Sequence, residues 1–188
     1  MPQLAVIVAS TRPGRAGPAI ADWFLARAKD HGELDAGLVD LAEVNLPFLD
    51  EPEHPSRGHY LHPHTRRWSA IVASTDAFAL VLPEYNGGLP APLKNALDFL
   101  YEEWAHKPVG LVSYGMGSAG KHAAGMAEQV VTALRMRPAP TRVAVPLREC
   151  FGGEAVHPNE AMESAAHGML DELTSMTGAT REEGSGVR

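Results

Sequence analysis

Three short segments of this chain gather the side chains and backbone that could hold a ligand. The first is Ser10-Thr11-Arg12-Pro13-Gly14-Arg15-Ala16-Gly17. Ser10 and Thr11 can donate hydroxyl hydrogen bonds, and Arg12 and Arg15 can donate charge-assisted ones. Gly14 and Gly17 allow a close approach of the backbone. If a helix starts behind this loop, free N–H groups and the positive end of its dipole complete a site for a dianionic phosphate. The segment has neither a Walker lysine pattern nor a GxGxxG, and the plain alternative is a helix-capping loop with two solvated arginines.

The second segment is Pro83-Glu84-Tyr85-Asn86-Gly87-Gly88-Leu89-Pro90-Ala91-Pro92. A glycine pair between prolines makes a rigid turn whose amides can meet the polar edge of a planar heterocycle, with Tyr85 as a wall. Read blandly, it is an ordinary connection into a helix with Pro92 near its first position. The third, Ser113-Tyr114-Gly115-Met116-Gly117-Ser118-Ala119-Gly120, contains a formal GxGxxG. The acidic residue expected about 20 positions later is missing, since Pro138 to Leu147 holds none. A loop that closes over the other side of a cofactor is the better reading.

Other candidates carry less. Glu84 could be an acid or base, or a carboxylate that caps a loop. His54, His59, His62 and His64 share one segment, but without cysteine and with Pro and Gly between them they read as a solvated loop, so no metal is expected. Met116, Met126 and Met136 read as core or loop filler. Lys94 and Asp98 are four apart, the spacing of a local ion pair. Arg66-Arg67 is a candidate for a 2′-phosphate but reads more simply as a solvated helix face. No side chain is assigned a catalytic role.

The elements that must position these segments alternate along the chain. Leu4 to Ala9, Gly37 to Leu41, Ala77 to Leu82, Val109 to Ser113 and Thr141 to Val145 are strand-like runs. Helical spacing appears from Ile20 to a stop at Gly32, around Trp68 to Thr75, from Leu93 to Leu100, from Lys121 to Met136 and from Pro158 to Met176. The stretch from Pro47 to Pro63 reads as a long loop. Alternation of this kind predicts a parallel sheet with helices on both faces, an α/β three-layer sandwich. The strand order 2-1-3-4-5 is one of the two commonest solutions. In such sheets ligands bind beyond the carboxyl ends of the strands, where all three candidate segments fall.

A chain of 188 residues supports one core, read as a domain over 1–178 with a flexible tail over 179–188. The net charge of −7 argues against nucleic acid or an acidic membrane surface as partner. No run of about 18 apolar residues exists to span a bilayer, and the N-terminus lacks the basic segment of a signal peptide. Cys150 is the single cysteine, which cannot form an internal disulfide and fits a reducing cytoplasm.

In order and type, the segments resemble the NADPH-dependent FMN reductase family of flavodoxin-like proteins, which includes quinone, chromate and azo-dye reductases. The resemblance runs from about Leu4 to Val145. Pro83-Glu84-Tyr85-Asn86-Gly87 followed by Leu93-Lys94-Asn95-Ala96-Leu97-Asp98 carries it most specifically, with the Ser10-x-Arg12 turn and Ser113-Tyr114-Gly115 in support. It implies that Ser10, Thr11, Arg12, Arg15 and Gly17 hold an FMN phosphate. It also implies that Pro83, Glu84, Tyr85, Asn86 and Gly87 border the isoalloxazine, and that Ser113, Gly115 and Gly117 lie near its pyrimidine end. NADPH or NADH would be the electron donor, a quinone, flavin or similar small oxidant the acceptor, and the chain a homodimer or homotetramer. Gly88 stands where many such proteins carry serine, and Pro90-Ala91 replaces a frequent Pro-Gly. The alternatives are a non-enzymatic electron carrier of flavodoxin type, whose phosphate loop is usually rich in Thr rather than Arg, and a flavin-free interaction domain on the same fold.

Overall fold

The computed structural model describes residues 1–152 and 155–185. Strand β1 (Gln3–Val8) leads into helix α1 (Gly17–His31), which ends at Gly32, and then β2 (Asp35–Asp40). A short helix α2 (Leu41–Val44) and a 3₁₀ turn (Pro55–Arg57) punctuate the segment expected to be irregular, before α3 (Pro63–Ala73). Then come β3 (Ala77–Pro83), α4 (Ala91–Asp98), a second 3₁₀ turn (Glu102–Trp104), β4 (Pro108–Gly115) and α5 (Lys121–Ala133). The chain finishes with β5 (Arg137–Pro138), β6 (Val143–Pro146), α6 (Leu147–Cys150), the two-residue strands β7 (Phe151–Gly152) and β8 (Ala155–Val156), and α7 (Glu160–Ser185). Residues 186–188, the end of the expected tail, lie outside the described residues.

The sheet runs β2-β1-β3-β4-β5, all neighbours parallel, with β6 also paired to β4. The predicted order 2-1-3-4-5 is therefore observed. The single fifth strand expected at Thr141–Val145 is instead an edge in two pieces. β5 lies beside Pro108 and Val109, and β6 beside Val112 to Gly115. Pro138 and Pro140 have no N–H to continue a ladder between them. There Thr141 turns outward, and its N–H and Oγ1 both donate to Glu172 of α7 at 2.8 and 2.7 Å.

The central strands read as unbroken apolar runs because both their faces are covered. Ile7, Leu80, Leu82 and Leu111 point into one core with Trp68, Leu93, Leu97 and Trp104, beneath α3, α4 and α5. Val6, Val8, Ala79, Val81 and Val112 point into the other with Ile20, Phe24, Met162 and Leu173, beneath α1 and α7. Cys150 is buried in this second layer. Among the described residues, no helix is long and apolar enough to cross a membrane.

Candidate functional site

The carboxyl ends of β1, β3 and β4 are adjacent in the sheet, so the three candidate segments converge on one edge. A hydrogen bond ties the outer two together: the Tyr114 hydroxyl donates to Ser10 Oγ at 3.0 Å, both groups buried. Burial is the main influence on the Tyr114 phenol and pushes it up to about 12, so it stays protonated and donates. Ser10, fully buried, lies beneath the loop rather than on its surface, and Thr11 is the exposed hydroxyl.

Gly17 sits directly over this pair. A Cβ there would overlap Ser10 Oγ and come within 2.9 Å of the Tyr114 hydroxyl. The residue must be glycine for α1 to start so close to the end of β1. No side chain caps that start: Ala16 is the N-cap and Pro18 occupies the first turn. The first N–H groups of α1 thus remain available to an anion. Arg12 is exposed at the tip. Arg15 turns toward β2, where its Nη2 pairs with Asp40 Oδ2, while its buried Nε has no hydrogen-bond partner. An uncapped helix start, an orphaned guanidinium N–H and the close approach at Gly17 together fit a phosphate group.

The second segment folds into a tight hairpin. Tyr85 and Gly88 exchange both backbone hydrogen bonds at 3.1 and 3.0 Å, with Asn86 at φ 52° and Gly87 at φ 78° between them. Two consecutive residues with positive φ make a type I′ turn, which favours Asn-Gly. The two central amides face away from the ladder, on exposed residues beside a half-exposed Tyr85. Met126 of α5 lies against this turn, its Sδ 3.1 Å from where a Gly88 Cβ would stand. Here the departure at Gly88 has a structural counterpart, because a serine would have to displace that sulfur.

Glu84 turns its side chain away from the hairpin to the third segment. Its Oε2 accepts from the backbone N–H groups of His122 at 2.9 Å and Ala123 at 3.4 Å, and its Oε1 lies 3.1 Å from His122 Nδ1. Burial alone would raise the Glu84 carboxyl. The hydrogen bonds from Ser118, from the His122 ring and from the two amides outweigh it and hold the group below the usual carboxylate range. Glu84 therefore caps α5. Ser113 donates to the Ala119 carbonyl at 3.0 Å and shapes the loop, while Met116 and Gly117 are exposed at its tip. Gly115 is buried, with Glu84 Cβ 3.6 Å from where its own Cβ would stand.

Reading the sequence missed Asp40, the structural role of Tyr114, and His122. Asp40 and His122 are recognisable only through partners 25 and 38 positions away. The histidine segment folds onto itself: His62 and His64 stack at 5.2 Å, and His64 Nε2 lies 3.0 Å from Asp50 Oδ1. Among the described residues, no group of three or more His, Cys, Asp or Glu side chains is arranged to hold a metal ion. A cleft of about 340 Å³ opens beside the first segment, between Thr11, α2 and the start of α4, with Leu46 and Phe48 as one wall and no charged residue in its lining.

Sheet order and ligand edge together define a flavodoxin-like α/β protein. The solved structure of FerB, an NAD(P)H:acceptor oxidoreductase from Paracoccus denitrificans, superposes with a TM-score of 0.77 at 18% identity, covering 95% of this chain and 98% of that one. At the level of sequence, the profile of the NADPH-dependent FMN reductase family matches residues 2–149, and the chain belongs to that family. An NAD(P)H-dependent FMN reductase of Schizosaccharomyces pombe is 43% identical over 148 residues, 78% of this chain and 74% of the relative. One from Saccharomyces cerevisiae is 34% identical over 145 residues, 71% and 75% of the two chains.

Proposed function

We propose that this chain holds FMN at the carboxyl edge of its sheet and passes electrons from NADPH or NADH to a small oxidant. The observation that carries the reading is the uncapped start of α1, with Gly17 pressed onto Ser10 and Tyr114 and the Arg15 Nε left without a partner. Thr11, Arg12, Arg15 and the first amides of α1 would hold the phosphate, with Ser10 as buried support. The Asn86-Gly87 amides and Tyr85 would border the ring on one side, and the Gly115–Gly117 backbone on the other. Bound FMN would supply the redox chemistry, hydride transfer by way of its N5 to a quinone, a free flavin or a similar acceptor. The protein's part is to orient the ring, and the fixed N–H dipoles of the 115–117 loop favour negative charge developing at its edge. The exposed Leu49, Tyr85, Met116 and Met126 support a homodimer or homotetramer, which light scattering would measure directly. A lone buried thiol supports the cytoplasm as its compartment.

The test is a visible spectrum taken after FMN is added, the excess removed, and NADPH introduced without oxygen. Retained flavin that bleaches is the expected result. Retained flavin that NADPH and NADH leave oxidised would point to an electron carrier instead, and a colourless protein would remove the reading altogether.

A further inference from the structure

We propose that His122, oriented by Glu84, donates the proton that a quinone-type acceptor must gain when it is reduced; this rests on the oxidoreductase reading above. Capping explains why Glu84 Oε2 meets two backbone amides. It does not explain why the other oxygen engages the imidazole, at 3.1 Å from Nδ1. A carboxylate held ionised can only accept, so Nδ1 carries the ring's hydrogen. That leaves Nε2 as the nitrogen free to exchange a proton, on a side chain 70% exposed to water.

The ring stands where the 116–120 loop enters α5, on the same edge as the Tyr85–Gly88 turn. Glu84 reaches it from the end of β3, and Lys121 precedes it on its own helix. The turn and the loop packed beside it, Tyr85 to Gly88 and Met116 to Gly120, contain no carboxylate or ammonium group.

The overall reaction is NAD(P)H + H⁺ + quinone → NAD(P)⁺ + hydroquinone. NAD(P)H gives up two electrons and one hydrogen and is oxidised; the quinone is reduced and needs one further proton on oxygen. In the proposed step His122 acts as the imidazolium: its Nε2–H bond breaks as the acceptor O–H bond forms, leaving the neutral ring with its hydrogen on Nδ1 facing Glu84. The H⁺ of the overall equation, taken up from solvent, then re-protonates Nε2. A positioned acid of this kind accelerates proton transfer by about 10²–10⁴-fold over an unplaced one.

The experiment mixes the FMN-loaded, NADPH-reduced protein with a neutral naphthoquinone and, separately, with ferricyanide, which takes electrons without a proton. His122→Gln is expected to slow the quinone reaction by about tenfold or more and to flatten its pH profile, with FMN retention and the ferricyanide reaction at wild-type level. Unchanged quinone kinetics, or equal slowing with both acceptors, would overturn the proposal. A second readout needs no flavin. In ¹⁵N NMR spectra of the flavin-free chain the neutral His122 ring should carry its proton on Nδ1. Glu84→Gln should move it to Nε2, because the amide oxygen keeps the backbone bond and the NH₂ turns to the ring. An unmoved proton would remove Glu84 as the positioning residue. Failure to retain FMN sinks the cofactor reading and this proposal together, whereas retained FMN with unaltered quinone kinetics sinks this proposal alone.

Discussion

At the scale of single residues, the site depends on atoms that leave no room for change. Gly17→Ala drives a methyl group onto the Ser10–Tyr114 pair. Overpacking of this kind costs about 1–3 kcal/mol. The variant should unfold at lower urea and bind FMN at least tenfold more weakly, because relief of the clash moves the start of α1. Wild-type affinity in flavin titrations would show that the helix start does not touch the phosphate. Glu84 makes a second prediction, about acid. Its folded-state value lies below the ordinary 4.5, so its capping contributes stability that is complete above that pH and fades as pH falls through the folded value. Glu84→Ala should cost about 1 kcal/mol at neutral pH, the usual worth of a cap, and the gap from wild type should narrow in urea melts as pH is lowered below 4.5. A gap independent of pH would mean the loss is packing rather than charge.

The elements show why some of this was readable in advance. Strands β1, β3 and β4 are long apolar runs with both faces buried, and Gly32 and the Asn86-Gly87 pair are local turn chemistry, so composition and spacing suffice to find them. The edge where the three segments meet follows from the strand order. What depends on distant pairing was not legible. The fifth strand splits because Thr141 is recruited by Glu172 of α7, and Arg15 leaves the loop for Asp40, neither of which a local pattern encodes. The segment after α2 is held in the same way. Asn95 of α4 donates to the Pro47 carbonyl at 2.7 Å and accepts from the Leu49 N–H at 3.0 Å, strapping the wall that carries Leu46 and Phe48. Asn95→Ala removes both bonds at a cost of about 1–2 kcal/mol. Hydrogen exchange at the Leu49 amide should accelerate while the amides of β3 and β4 keep their protection. Retained protection at Leu49 would show that the wall is held by its own packing.

For the whole molecule, the 10–17 loop is tied to the ends of three strands, β1, β2 and β4. α1 belongs to the layer it forms with α7, while α2 and α4 border the cleft on the opposite face. Arg15 and Asp40 link the start of α1 to the end of β2, and Tyr114 links β4 to the end of β1. A ligand held by the amides and guanidinium groups of this loop is therefore attached to the cooperative core and not to a peripheral flap. Its binding energy should appear in global unfolding. At a free FMN concentration about 100 times Kd, linkage adds about 2.7 kcal/mol. For a domain of this size that raises Tm by roughly 5–11 °C. Calorimetry should show one transition moving as a unit, with the shift reduced in Arg12→Ala and cut to about half or less in Gly17→Ala. If FMN instead left the main transition in place, the loop would be melting separately from the sheet. The coupling through Ser10, Tyr114 and Asp40 would then be absent in solution.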